Sequence, residues 1–333
     1  MSNNTCLGFN VEWYDAFAEL LHLMQIKYFV SDGTIEILEK DKIFLKRIYY
    51  PEVKLEHLFI GGSVTVYNRL LSVKSYCNIA TETYMNAREV HILCKISNSS
   101  TLGEVLNIAK RCNLKSGRAK TSSSSFLSEC GLAVSAGNTL FELVGFGGDS
   151  QVAQFGDAAK RISGCEIIRL DTKGVLDAMN ECAAPRINGR NCTLCMIKPY
   201  ILEDKNEGAV IQAILDRGYK ISAVFSVHLT KAMASEIFDA YRAVVPSYTQ
   251  MLDQIMRGFS IALMIEKPGS ADIVNEFREF CGPFHTELAK VLRPDSLRGK
   301  FGVDGVLNAV HCTDMAEDGV MECSYFFETL AAM

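Results

Sequence analysis

The chain has 333 residues, 48% of them apolar and 22% charged, with a formal net charge of -5. That length suits two or three domains with cores of their own, and the mild acidity excludes the basic excess of a nucleic-acid protein. No run of about 18 apolar residues occurs, so no membrane-spanning helix is expected, and the opening MSNNTCLGFNVEW has neither the basic region nor the apolar core of a secretory signal. Twelve cysteines are scattered along the chain. Cys192 and Cys195 form a CxxC, but it lies in an apolar strand-like run with no second pair at zinc spacing. It reads as reduced core thiols of a cytoplasmic protein, and no metal-ligand set is expected.

Residues 1–88 read as short antiparallel strands. KYFVSDGTIEILEKDKIFLKRIYY alternates apolar and polar residues, with a hairpin signal at Asp32-Gly33 and a second turn at Lys40-Asp41. LFIGGSVTVYNRLLSVKSY adds two strands around Gly61-Gly62 and Asn68-Arg69. No catalytic constellation falls here.

From about Arg88 strands alternate with helices, and they do so twice. VHILCKIS and CTLCMIKP are apolar strands that end near Lys95 and Lys198. Helix-patterned segments of equal length follow, Gly103 to Lys115 and Gly208 to Lys220. LFELV (Leu140 to Val144) answers IALMI (Ile261 to Ile265), and AAKRISG, ending at Gly164, answers EFREFCG, ending at Gly282. Finally GVLDAMN (Gly174 to Asn180) answers GVLNAVH (Gly305 to His311). Five matches in one order predict an internal duplication. Its α/β order predicts two ferredoxin-like sandwiches, over 89–185 and 191–333, joined by the Pro, Gly and Asn-rich AAPRINGRN.

The copies differ in chemistry. His311 in one answers Asn180 in the other, and Gly282 to Gly305 spans 23 residues where Gly164 to Gly174 spans ten. The extra material includes LRPDSLRGKF, which carries Arg293 and Arg298. The first copy also has TSSSSF where the second has the helix-patterned SEIFDAYRAVV. Joint loss of a histidine and a cationic loop reads as loss of one activity.

LNAVHC reads as a short strand delivering His311, with Asp314 starting a helix and Glu317 completing its capping pattern. A chain turning back through GVMECSYFF would bring Glu322 to the imidazole, with Thr313 supporting the carboxylate. Such a carboxylate fixes the tautomer and leaves the other ring nitrogen as nucleophile. Lys198, Arg278 and Arg298 could converge on it, which is what phosphoryl transfer requires. On spacing alone, a surface histidine and solvated charges fit better than a catalytic set, and Phe238, Tyr241 and Tyr248 fit a core better than a base-stacking face.

NAVHCTDMAEDG resembles the Asn-x-x-His-Gly-Ser-Asp signature of nucleoside diphosphate kinases. CMIKP resembles their opening strand and lysine, FREFCGP their Arg-x-x-x-Gly segment, and LRPDSLRGKFGVDG their substrate loop. The N-terminal stretch resembles a small doublet-microtubule-type (DM-type), PH-like module. Together these are similar to the ciliary, tandem-domain branch of that family. The resemblance implies His311 as phosphohistidine nucleophile and Glu322 as its orienting partner. It implies Lys198, Arg278 and Arg298 on the phosphates, Asn308 on the sugar side, Phe238 and Tyr248 near the nucleotide, and Mg²⁺ bridging phosphates. ATP and nucleoside diphosphates would be the substrates, in ping-pong order. Tubulin or axonemal proteins would be partners in the cilium, with a structural axonemal role as the alternative. The two copies would pair within a monomeric chain. Departures are Tyr200 for Asp, Val244 and Val245 for Arg-Pro, Phe284 for Thr and Cys312 for Gly. In the first copy Lys95 is the main relic, and that copy is expected to be inactive.

Overall fold

The computed structural model describes residues 5–15, 20–60, 62–128, 131–146, 149–187 and 189–332. The chain forms two compact units, one of residues 1–90 with 145–153 and one of residues 91–144 with 154–333.

The first unit is an antiparallel sheet of β1 (Cys6–Asp15), β2 (Leu20–Phe29), β3 (Thr34–Glu39), β4 (Lys42–Tyr49), β5 (Ser63–Val66) and β6 (Arg69–Tyr76), in the order β4-β3-β2-β1-β6-β5. Lys40 and Asp41 both have positive φ, as do Tyr67 and Asn68. These are the two-residue turns whose twist matches that of the strands. The second turn is thus one residue earlier than the Asn68-Arg69 expected, and Gly61 lies outside the described residues. Phe9, Ile26, Ile35 and Ile37 are fully buried on one face. Helix α1 (Ile79–Asn86) follows, capped by the Asn78 side chain on the Thr81 N–H.

The second unit holds most of both repeats as mixed α and β structure, with Val90, Gly145 and the start of α3 counted in the first unit. The first is β7 (Val90–Ile96), α2 (Leu102–Arg111), β8 (Lys115–Thr121), a small ribbon of β9 (Phe126–Leu127) and β10 (Ala133–Val134), β11 (Thr139–Gly145), α3 (Asp149–Ala159), β12 (Cys165–Leu170) and α4 (Thr172–Asn180). The second is β13 (Thr193–Ile197), α5 (Pro199–Glu203), α6 (Glu207–Asp216), β14 (Lys220–Val227), α7 (Lys231–Ile237), α8 (Tyr248–Ile255), β15 (Ser260–Glu266), α9 (Ile273–Cys281), α10 (Thr286–Leu292), α11 (Leu297–Phe301), β16 (Val310–Cys312) and α12 (Gly319–Ser324). The eight-stranded sheet runs β12-β7-β11-β8-β14-β15-β13-β16. Each half has the ferredoxin-like βαββαβ order.

The halves meet edge to edge at the equivalent strands β8 and β14, where Lys120 faces Phe225. Ala119 N donates to Ser226 Oγ at 2.7 Å, and Val224 N to Thr121 Oγ1 at 2.9 Å. Helices α2 and α6 pack on each other beside this seam.

The repeated GVL phrase is not equivalent in three dimensions. Gly174 to Asn180 is helical within α4, whereas Gly305 to Ala309 is an irregular turn leading into β16. The counterpart of β16 is β12. Met196, two residues before Lys198, faces His311, and Leu93, two residues before Lys95, faces Ile168. Ile168, not Asn180, therefore occupies the histidine's register, and Asn180 is exposed at the helix end. Asp171 caps α4 through the Gly174 N–H, so the same apolar spacing is drawn into a helix where no long loop precedes it.

Candidate active site

His311 sits in the middle of β16 and is 6% exposed. Its Nε2 lies 3.6 Å from Glu322 Oε2, an ion-pair separation too long for a hydrogen bond. Thr313 Oγ1 donates to the same carboxylate at 2.8 Å and accepts from Leu194 N at 3.2 Å. Gly319 makes this approach possible. A Cβ there would lie 2.6 Å from the Cys192 carbonyl oxygen, so only glycine lets α12 come so close to β13. Burial alone would lower the imidazole pKa, but the Glu322 carboxylate outweighs it and holds His311 above its ordinary value. Burial would raise Glu322, and the histidine and Thr313 outweigh that and keep it ionised.

Asp314 does not start a helix. A 3-10 turn, Ala316–Asp318, intervenes before α12, and the capping pattern with Glu317 is not formed. Asp314 instead accepts a short hydrogen bond from Tyr241 Oη and pairs with Arg278, whose Nε is 3.4 Å from Oδ1. Arg278 Nη1 also donates to the Asp314 carbonyl at 3.1 Å. The sequence weighs Tyr241 only as a core aromatic against a base-stacking one. The acidic half of this latch is visible in the NAVHCTD motif, but Tyr241 reaches it from 73 residues away.

Arg298 is buried on α11, which Ser296 Oγ caps through the Gly299 N–H at 3.1 Å. Gly282 has φ +83, and a Cβ there would lie 2.3 Å from Ser296 Oγ. The close contact brings the Gly282 carbonyl to Arg298 Nη1 at 2.7 Å. Arg298 Nη2 donates to Val310 O at 3.2 Å, beside His311, and lies 3.7 Å from Cys312 Sγ. Lys198 Nζ donates to Val306 O at 2.9 Å. Burial, reinforced by Arg298 and opposed by Asp304, lowers the Lys198 amine to about 7. Asn308 Nδ2 donates to Phe284 O at 3.1 Å, and its buried Oδ1 has no partner.

Tyr200 has structural work in this arrangement. Its hydroxyl accepts from Ala309 N at 2.8 Å and lies 2.8 Å from Leu307 O. It thereby fixes Ala309 at φ 67, a left-handed conformation costly for a residue with a Cβ.

Two expected nucleotide contacts are placed differently. Phe238 is 2% exposed and packs edge-on against the imidazole, centroids 5.2 Å apart. It lines the site against the imidazole. Tyr248 opens α8 and packs on the core, with the Arg242 guanidinium 6.0 Å from its ring centroid. Tyr241 lies 6.4 Å from the imidazole and stacks on Phe284 at 6.0 Å. Val244 is exposed.

A buried histidine with an anchored carboxylate, and a buried arginine bonded to the carbonyl of the residue before it, can act as a nucleophile. The family model "Nucleoside diphosphate kinase" matches residues 191–331. "Nucleoside diphosphate kinase homolog 7" of Rattus norvegicus is 30% identical over 370 positions, covering 97% of this chain and 93% of that protein. The chain belongs to the nucleoside diphosphate kinase family. The nucleoside diphosphate kinase of Aquifex aeolicus is 28% identical over 138 residues, 41% of this chain and 94% of that kinase. A crystal structure of the Aquifex aeolicus kinase aligns at 26% identity and TM-score 0.39, covering 43% of this chain and 99% of that one. In this kinase-family chain no helix among the described residues is long and apolar enough to cross a membrane.

Proposed function

We propose that the second kinase fold is a nucleoside diphosphate kinase working through a phosphohistidine at His311. The observation that carries this reading is the pairing of His311 Nε2 with a Glu322 carboxylate that Thr313 holds in place. With Nε2 turned to the acid, Nδ1 is the nitrogen that attacks the γ-phosphorus of a nucleoside triphosphate. The developing imidazolium is stabilised by Glu322. Arg298, Lys198 and Arg278 would carry the phosphate charge, and Asn308 Oδ1 is free to accept from a sugar hydroxyl. A nucleoside diphosphate then takes the phosphoryl group from Nδ1.

Among the described residues no cluster of three or more acidic, histidine or cysteine side chains could cage a cation. Mg²⁺ therefore fits as a companion of the phosphates, neutralising their charge.

A structural role in the cilium or axoneme, through tubulin or axonemal partners, is the second reading. It is favoured by the closure of the site. Phe238 and Tyr241 cover the imidazole, and Arg278 is engaged by Asp314. Turnover would then be slow. A coupled assay of phosphate transfer from GTP to ADP tests the enzyme reading. Transfer by the full chain that His311→Ala removes supports it, and equal transfer by both proteins rejects it.

A further inference from the structure

A line of hydrogen-bonded polar side chains runs across four neighbouring strands of the first copy. The order β12-β7-β11-β8 places Thr172 just past β12, His91 on β7, Glu142 on β11 and Gly117-Arg118 on β8. Leu170 faces His91 across the β12/β7 ladder, which brings Thr172 beside the ring. Thr172 Oγ1 is 3.0 Å from His91 Nε2, and His91 Nδ1 is 2.7 Å from Glu142 Oε1. Arg118 holds Glu142 Oε2 with its backbone N–H at 2.9 Å and its guanidinium at 3.1 Å.

Glu142 is 1% exposed and His91 9%, whereas Thr172 is at the surface. Gly117 makes room for the acid: a Cβ there would lie 2.5 Å from Glu142 Oε2. Burial alone would raise the Glu142 carboxyl, but the hydrogen bonds from His91 and Arg118 and the Arg118 charge hold it below the usual range. An ionised carboxylate only accepts, so His91 Nδ1 carries the proton. The ring then turns Nε2 to the Thr172 hydroxyl. Hydroxyl, imidazole and carboxylate stand in the order nucleophile, base and orienting acid. Thr172 is also the first residue of α4, so its N–H and that of Lys173 have no partner within the helix.

We propose that Thr172, His91 and Glu142 form a second active centre, in the copy without the kinase histidine, that transfers acyl groups from uncharged carboxylic esters. Thr172 Oγ attacks the ester carbonyl carbon while its proton passes to His91 Nε2. The bond from that carbon to the alcohol oxygen breaks, and the alcohol leaves with the proton from His91. The acyl group remains as an ester on Thr172. Water then attacks the acyl carbon, giving a proton to Nε2, and Thr172 regains that proton as the carboxylic acid departs. Glu142 keeps Nδ1–H in place and stabilises the imidazolium throughout. An anionic phosphate donor is disfavoured because Asp171, one residue before Thr172, caps the helix with its carboxylate.

The test uses the full chain and p-nitrophenyl acetate. The expected result is a burst of p-nitrophenol equal to the chain concentration, with an acetyl group on the peptide containing Thr172. Thr172→Val, a change at an exposed hydroxyl, removes burst and adduct, and Thr172→Ser keeps both. Glu142→Gln slows the burst at least about tenfold, by loss of the orienting charge. His311→Ala leaves the burst intact, which separates this centre from the proposed kinase. Absence of a burst, or a burst that survives Thr172→Val, overturns the proposal.

Discussion

Gly103 and Gly208 are each the second residue of a helix, α2 in the first half and α6 in the second, and each lies against the other half's helix. A Cβ at Gly103 would come 2.9 Å from Gln212 N, and one at Gly208 would come 2.8 Å from Asn107 N. Gln212 follows Gly208 by four residues, as Asn107 follows Gly103. The contact is therefore self-complementary, in the manner of a twofold interface within a single chain. Alanine is favoured over glycine in a helix by about 1 kcal/mol, whereas overpacking costs about 1–3 kcal/mol. Gly208→Ala is expected to lose up to about 2 kcal/mol in denaturant unfolding. A gain in stability would contradict the close packing.

Pairing inside the chain places the two folds at very high effective concentration. Light scattering in dilute solution should give a mass near one chain, 36.9 kDa. A mass near six chains would show that the internal pair does not replace subunit assembly.

The duplication was legible in the sequence because it lies in local patterns. Paired apolar strands, helices of equal length and matched glycines all occur in one order. The role of those glycines, the contact between α2 and α6, is a tertiary fact that no spacing displays. The equivalence of Asn180 and His311 failed for the same reason: similar heptapeptides became a helix in one copy and a turn with a strand in the other. Asp314 was misread because its partner, Tyr241, is distant in sequence and outcompetes a local cap. His311, Glu322 and Thr313 lie within twelve residues, so one short motif specifies their meeting.

This correction strengthens an expectation about the first copy. Asn180 is exposed at the end of α4, and Ile168 fills the register that His311 holds in the second copy. An Asn180→His, His311→Ala double variant should take no phosphate from labelled ATP. Label on residue 180 would contradict the structural alignment.

Nucleotide binding should be linked to protons through Lys198. Its amine, lowered to about 7 by burial, is charged below that pH and neutral above it. A bound phosphate favours the charged form, so ADP binding takes up a proton and weakens as pH rises beyond 7. His311 acts as the opposite limb: only its neutral ring attacks, and its pKa is held above the ordinary value. Phosphorylation rate should therefore fall on the acid side as His311 protonates and on the alkaline side as Lys198 loses its charge above about 7. Calorimetry at pH 8 in buffers of different ionisation enthalpy should give different heats. Identical heats would show that Lys198 is charged before nucleotide arrives.

The central claim is that His311 carries the phosphoryl group. Incubation of the full chain with γ-labelled ATP and magnesium, followed by acid and alkali treatment, tests it most directly. The account predicts an acid-labile, alkali-stable label on the peptide containing His311, absent from His311→Ala and much reduced in Glu322→Gln. Equal labelling of the His311→Ala protein would contradict it.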